Sequence, residues 1–198
     1  MKNFALIDPL FLPHLGCHLE FSLAPGSSVV FMGENGIGKT TLLKRLALQA
    51  EAGSRVIIEQ KATEYFYDRK VKKLREFFQE GLLPQFDEEA FTFLWQAFNL
   101  DSKEDRLISQ LSGGEAQALK LALGLCKETS YFFLDEPSQY LDQGRREILK
   151  NFLSYLLKRG KSLVVVEHNR EWLPEGWMVQ NLVVKNSTLV QGDTWTIS

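Results

Sequence analysis

The stretch "SVVFMGENGIGKTTLLKRLALQA", residues 28–50, constrains the fold more than any other part of the chain. An apolar run meets a glycine-rich loop, and the loop feeds a segment whose Leu43, Leu46, Ala47 and Ala50 recur at i, i+3, i+4 and i+7. Gly33, Gly38, Lys39 and Thr40 match the G-x-x-x-x-G-K-[ST] pattern, with Gly36 inside the loop. Such glycines let successive backbone N–H groups turn inward around phosphate oxygens, and the helix N-terminus adds partial positive charge. Lys39 is then expected to reach the outer phosphates and the Thr40 hydroxyl to hold Mg²⁺. A strand–turn–helix with coincidental residues is the plainer alternative, and the remaining motifs decide against it.

Short β-rich runs recur at "FALI" (4–7), "HLEFSL" (18–23), "RVIIE" (55–59), "YFFLDE" (131–136), "SLVVVEH" (162–168) and "LVV" (182–184). Helical periodicity returns at Leu119, Ala122, Leu123 and Cys126, and at Leu149, Phe152, Leu153 and Leu156. The runs "VVFM", "YFFL" and "LVVV" are continuously apolar, as parallel strands covered on both faces require. The expected fold class is therefore α/β, a parallel-sheet core with N-terminal antiparallel β strands. Residues 69–110 are helical in character, rich in aromatics and without a strand candidate. They predict an inserted helical subdomain, in which Phe91, Leu94, Trp95 and Phe98 form a core stripe rather than exposed docking aromatics. One domain is expected over 1–198, with the α/β core at about 1–68 and 118–198 and the helical subdomain at about 69–117. The β-like tail from 178 onward leaves no further domain to expect.

Charge narrows the partners. Lys and Arg total 23 against 25 Asp and Glu, and a net charge of -2 gives no sign of a nucleic-acid protein. No apolar run approaches the roughly 18–20 residues of a membrane span. In "MKNFALIDPLFLP", Asp8 and Pro9 break the apolar stretch and no cleavage site follows, so no signal peptide is expected. Cys17 and Cys126 are far apart and fit free thiols in a reducing compartment, which places the protein in the cytoplasm.

Three further motifs follow. In "LSGGEAQ" (111–117), Ser112 and Glu115 form a capping box, and two glycines at the helix start leave N–H groups for an anion such as a γ-phosphate. "YFFLDEP" (131–137) is an apolar strand ending in two carboxylates. Successive strand residues point to opposite sides, so Asp135 suits the Mg²⁺ shell and Glu136 suits polarising an attacking water. "VVVEHN" (164–169) ends another core strand at His168, at the sheet edge where the other motifs converge.

The set resembles the nucleotide-binding domain of ABC ATPases, P-loop NTPases, over nearly the whole chain and in the family's order. "GENGIGKTT" resembles the Walker A motif, "LSGGE" the signature motif, "YFFLDEP" Walker B with its glutamate, "SQYLD" (138–142) the D-loop and "VVVEHN" the switch histidine. The resemblance implies ATP and Mg²⁺ as cofactors. It implies ATP binding by Gly33, Asn35, Gly36, Ile37, Gly38, Lys39, Thr40 and Thr41 in one chain, and by Ser112, Gly113, Gly114 and Glu115 of a second chain in trans. Glu136, His168 and Lys39 would be catalytic, Thr40 and Asp135 would hold the metal, and Asp142 would link the two sites of a dimer. The partner would be a second copy or a paralogous ATPase subunit.

Three positions depart from the family's pattern. Asp68 stands where the Q-loop glutamine is expected and is a candidate metal ligand through water, while Gln60 belongs to the preceding strand. Ala118 replaces the arginine that usually follows Gln117, so a supporting polar contact should be missing. For the aromatic that stacks on adenine, Phe11 is the first candidate and His14 the next. Elsewhere, His14, Cys17 and His18 lack a second ligand pair for a metal. "RKVKKLR" (69–75) reads as a solvated basic face, with a partner surface as the sharper alternative.

As the resemblance implies it, the function is the ATP-hydrolysing subunit of an ABC transporter, peripheral on the cytoplasmic face of the inner membrane and driving a separate permease. A soluble ABC ATPase acting on the ribosome or nucleic acid is the alternative, because "LDEPSQYLD" with "VVVEHN" resembles the ribosome-recycling ABC ATPases. Against that stands the single cassette in this chain, where those relatives carry two. A binding module without turnover is a third reading, opposed by the retention of Lys39, Asp135, Glu136 and His168.

Overall fold

The computed structural model describes residues 4–5, 22–59, 67–79, 86–185 and 188–196. Strands β1 (Phe4–Ala5) and β2 (Ser22–Leu23) form a short antiparallel pair. The main sheet holds β3 (Ser28–Met32), β4 (Arg55–Ile58), β5 (Tyr131–Asp135), β6 (Ser162–Val166), β7 (Met178–Lys185) and β8 (Thr188–Thr196), in the order β4-β5-β6-β3-β7-β8. Every pairing from β4 to β7 is parallel, and β8 closes the edge antiparallel to β7.

The continuous apolar runs lie where the sheet is covered on both faces. Val29 and Phe31 of β3 turn to one side with Phe133, Val164 and Val166, beneath Leu42, Leu43, Leu46 and Ala47 of α1 (Lys39–Gln49). Val30, Phe132, Leu134, Leu163 and Val165 turn to the other side, under α4 (Gly113–Leu125) and α5 (Gln143–Lys158). The alternation of adjacent residues between two buried layers follows from the strand's period of two. Leu149, Phe152, Leu153 and Leu156 of α5 are all buried, as their spacing predicts.

Between β4 and α4 stand α2 (Val71–Gln79) and α3 (Glu88–Ala97), and no strand occurs there among the described residues. Phe91, Leu94, Trp95 and Phe98 are each no more than 1% exposed, so the stripe is core and the docking alternative is excluded for these residues. Asp87 caps α3 by accepting the Ala90 N–H (2.9 Å). The basic run is paired locally: Lys70 and Lys72 bridge Asp105 (3.7 and 2.7 Å), and Arg75 joins Glu104 while its guanidinium lies 5.8 Å over Trp95. Four of its five cations are thus paired with acidic neighbours, Lys73 with Glu76 among them, as a solvated face would be.

The strands end one or two residues earlier than the apolar runs imply, at Asp135 and Val166. Glu136 departs from Asp135 not by pleat alternation but because its backbone is left-handed, with φ 48°. Pro137 disfavours the right-handed helical region for the residue before it, so the chain cannot simply continue into a helical turn there. Phe11, His14, Cys17, His18 and Gln60 lie outside the described residues.

Candidate active site

All the predicted residues of the phosphate loop lie between the C-terminal end of β3 and the first turn of α1. Gly36 and Gly38 have φ of 81° and 98°, a region that costs a side-chain-bearing residue strain, and Gly38 forms the N-cap of α1. Asn35 and Gly36 are exposed at the loop tip, while Ile37 packs against the apolar layer beneath α1. Lys39 is 5% exposed, and its Nζ donates to the carbonyls of Gly33 (2.9 Å) and Glu34 (2.7 Å). Burial lowers its pKa, and the charges of Glu136 and Asp135 pull it back up.

At the end of β5, Asp135 is 3% exposed and accepts from Thr40 Oγ1 at 2.9 and 3.1 Å. Burial raises the pKa of Asp135, the Thr40 hydroxyl lowers it, and Glu136 raises it again. A hydroxyl and a carboxylate side by side form the oxygen donor set that a hard divalent cation takes, so these residues fit Mg²⁺. Asp68 is exposed in the turn before α2, and no hydrogen bond or ion pair joins it to Thr40 or Asp135 among the described residues.

Glu136 Oε1 lies 2.7 Å from His168 Nε2, so the sheet edge brings the two predicted catalytic groups together. With Glu136 as a carboxylate, which can only accept, Nε2 is the donor in this contact. The Glu136 N–H donates to Val166 O (2.9 Å), tying its turn to the end of β6.

The signature segment forms the predicted capping box. Ser112 Oγ accepts the Glu115 N–H (3.2 Å), and Glu115 Oε2 accepts the Ser112 N–H (2.9 Å). That backbone hydrogen bond is the main cause holding the Glu115 carboxyl below its ordinary pKa. Lys103 (3.0 Å) and Arg106 (3.8 Å) neutralise it beside what would be an anion site. A Cβ on Gly114 would stand 2.6 Å from the carbonyl of Tyr140, and Tyr140 is itself left-handed (φ 63°) and 68% exposed. The signature helix therefore meets the D-loop of its own chain backbone to backbone. Asp142 caps α5 by accepting the Arg145 N–H (2.8 Å).

Sequence reasoning missed Gln117. Its amide donates to Pro137 O (2.9 Å), from 5% exposure, and so supports the turn that carries Glu136. Ala118 is fully buried among apolar neighbours. The helix keeps a cation nearby in Lys120, which is 6% exposed and lies within the field of Asp135.

The fold and these strand-end groups define a P-loop nucleoside triphosphatase. The family model described as ABC transporter matches residues 17–139, well over half the chain. The chain belongs to the ABC transporter family and is an ABC-type ATPase domain. It is 30% identical over 178 residues to the Bacillus subtilis (strain 168) protein named "Probable siderophore transport system ATP-binding protein YusV", covering 76% of this chain and 65% of that one, a little under two thirds of its length. It is 32% identical to the Saccharomyces cerevisiae translation initiation factor RLI1, covering 76% of this chain but 26% of that protein. A solved ATP-binding subunit of an ABC transporter superposes with a TM-score of 0.69 at 17% identity, over 89% of this chain and 82% of that one, which shows the shared fold. Among the described residues no helix is long and apolar enough to cross a membrane.

Proposed function

We propose that this chain is the ATP-hydrolysing subunit of an ABC transporter, closing head to tail on a second copy or a paralogue around two MgATP and driving a separate membrane permease. The observation that carries hydrolysis is the Glu136–His168 pair at 2.7 Å, on the same sheet edge as the Thr40–Asp135 pair and the buried Lys39. Glu136 accepts the proton of the attacking water, and His168 holds the carboxylate on its Nε2 side. Lys39 would present its ammonium to the outer phosphates, and Thr40 and Asp135, already paired at 2.9 Å, would hold a magnesium ion. When bound, that ion neutralises charge on the transferring phosphoryl group. Ser112, Gly113 and Gly114 offer the N-terminus of α4 to the triphosphate held by the partner, and Asp142 stands in the segment that would link the two sites.

The transport reading draws on the likeness to a siderophore transport ATP-binding protein, and it places the chain on the cytoplasmic face of the membrane. The 32% identity to a translation factor keeps a ribosomal role as the second reading. Affinity capture of tagged Glu136→Gln protein from its own cells with MgATP, split into membrane and soluble fractions, separates the two. Recovery in membranes with a multi-spanning protein is expected; recovery with ribosomes or nucleic acid would overturn the transport reading.

A further inference from the structure

One buried carboxylate beside the hydrolytic pair takes no part in the roles above. Glu167 follows the last residue of β6, is 3% exposed, and is pinned to β3 by its own N–H, which donates to Phe31 O (3.1 Å). Its Oε1 accepts the N–H of Ser138 (2.9 Å) and its Oε2 accepts the N–H of His168 (3.1 Å). Both donors lie beyond the strand ends, where the sheet no longer supplies partners. A carboxylate has an acceptor oxygen for each of two diverging N–H groups, whereas a glutamine offers only one. Burial raises the pKa of Glu167, and the backbone donation from Ser138 is the largest influence opposing it.

The two segments joined in this way are the ones that matter. Ser138 lies two residues past Glu136 and begins "SQYLD", in which the Leu141 N–H donates to Ser138 O (3.2 Å) and Asp142 caps α5. His168 carries the ring that meets Glu136. We propose that Glu167 is a positioning residue: it fixes the main chain on both sides of the Glu136–His168 contact and makes that contact depend on the placement of residues 138–142. The proposal rests on reading Glu136 and His168 as the hydrolytic pair. It adds a device by which movement of the D-loop would open or close that pair from within the same chain.

The test uses the full-length chain carrying Glu167→Gln, with Glu167→Asp as a second variant should the first fail to fold. Steady-state hydrolysis, nucleotide binding, thermal stability and the NMR signal of the His168 ring are measured together. The expected result is a fall in kcat of about 10- to 100-fold, with nucleotide affinity within about threefold of the parent. The ring signal should shift toward its position in Glu136→Gln, and the substitution should lower kcat no further in a His168→Ala background. A parental kcat with an unmoved ring signal would overturn the proposal. So would a parallel loss of kcat, binding and stability, which would mark Glu167 as structural only. If Glu136→Gln itself leaves hydrolysis intact, the hydrolytic reading fails, and the ring signal still reports whether Glu167 holds His168.

Discussion

Lys120 is a buried cation on α4, 6% exposed, and its titration reports on that position. Burial lowers its pKa from 10.5 to about 8, against the opposing pull of Asp135. Between those values the unfolded chain holds a proton that the folded chain has released, so this group makes stability rise with pH across that window. In Lys120→Met the contribution is gone. Chemical denaturation at about pH 8 and about pH 10 should show the parent gaining on the variant by up to about 1.4 kcal/mol per pH unit. Parallel stability curves would contradict the assignment. What the sequence made legible at this scale was the local motif: Lys39 and Thr40 open the helix after the glycine loop, and Asp135, Glu136 and His168 stand at or just past the ends of β5 and β6. What it hid were groups defined by distant partners. Gln117 meets Pro137 and Glu167 meets Ser138 across chain separations of 20 and 29 residues, and neither contact leaves a periodicity or composition signal in the sequence.

Among the elements, α4 is placed partly by its own sequence and partly by what it meets. Its capping box and its buried length follow from "LSGGEAQ" and the apolar positions after it. Its close approach to the D-loop does not, because that depends on Gly114 lacking a Cβ at the Tyr140 carbonyl. Gly114→Ala must therefore push one backbone off the other. It should cost about 1–3 kcal/mol in denaturant unfolding while leaving binding to the phosphate loop of the isolated chain within about twofold. A variant as stable as the parent would mean that the two segments are free to part. Helix α2 teaches the converse. Its basic run reads in the sequence as a solvated face, but the acidic partners of Lys72 and Arg75, namely Asp101, Glu104 and Asp105, come from a stretch about 30 residues further on that the local pattern does not reveal.

For the whole molecule, the sheet order gathers Asp135, Glu136 and His168, the groups proposed for hydrolysis, at the C-terminal ends of the adjacent strands β5 and β6. The two-chain arrangement proposed above is tested by mass. Light scattering on Glu136→Gln should give the mass of a monomer without nucleotide and twice that mass with MgATP, and a mass unchanged by MgATP would count against a self-dimer. Lys39 also shapes the loop that carries it. Its ammonium donates to the carbonyls of Gly33 and Glu34, so one side chain ties the first residues after β3 to the first turn of α1. The residue that would bring positive charge to a phosphate is thus also a staple across the loop whose backbone N–H groups would surround it.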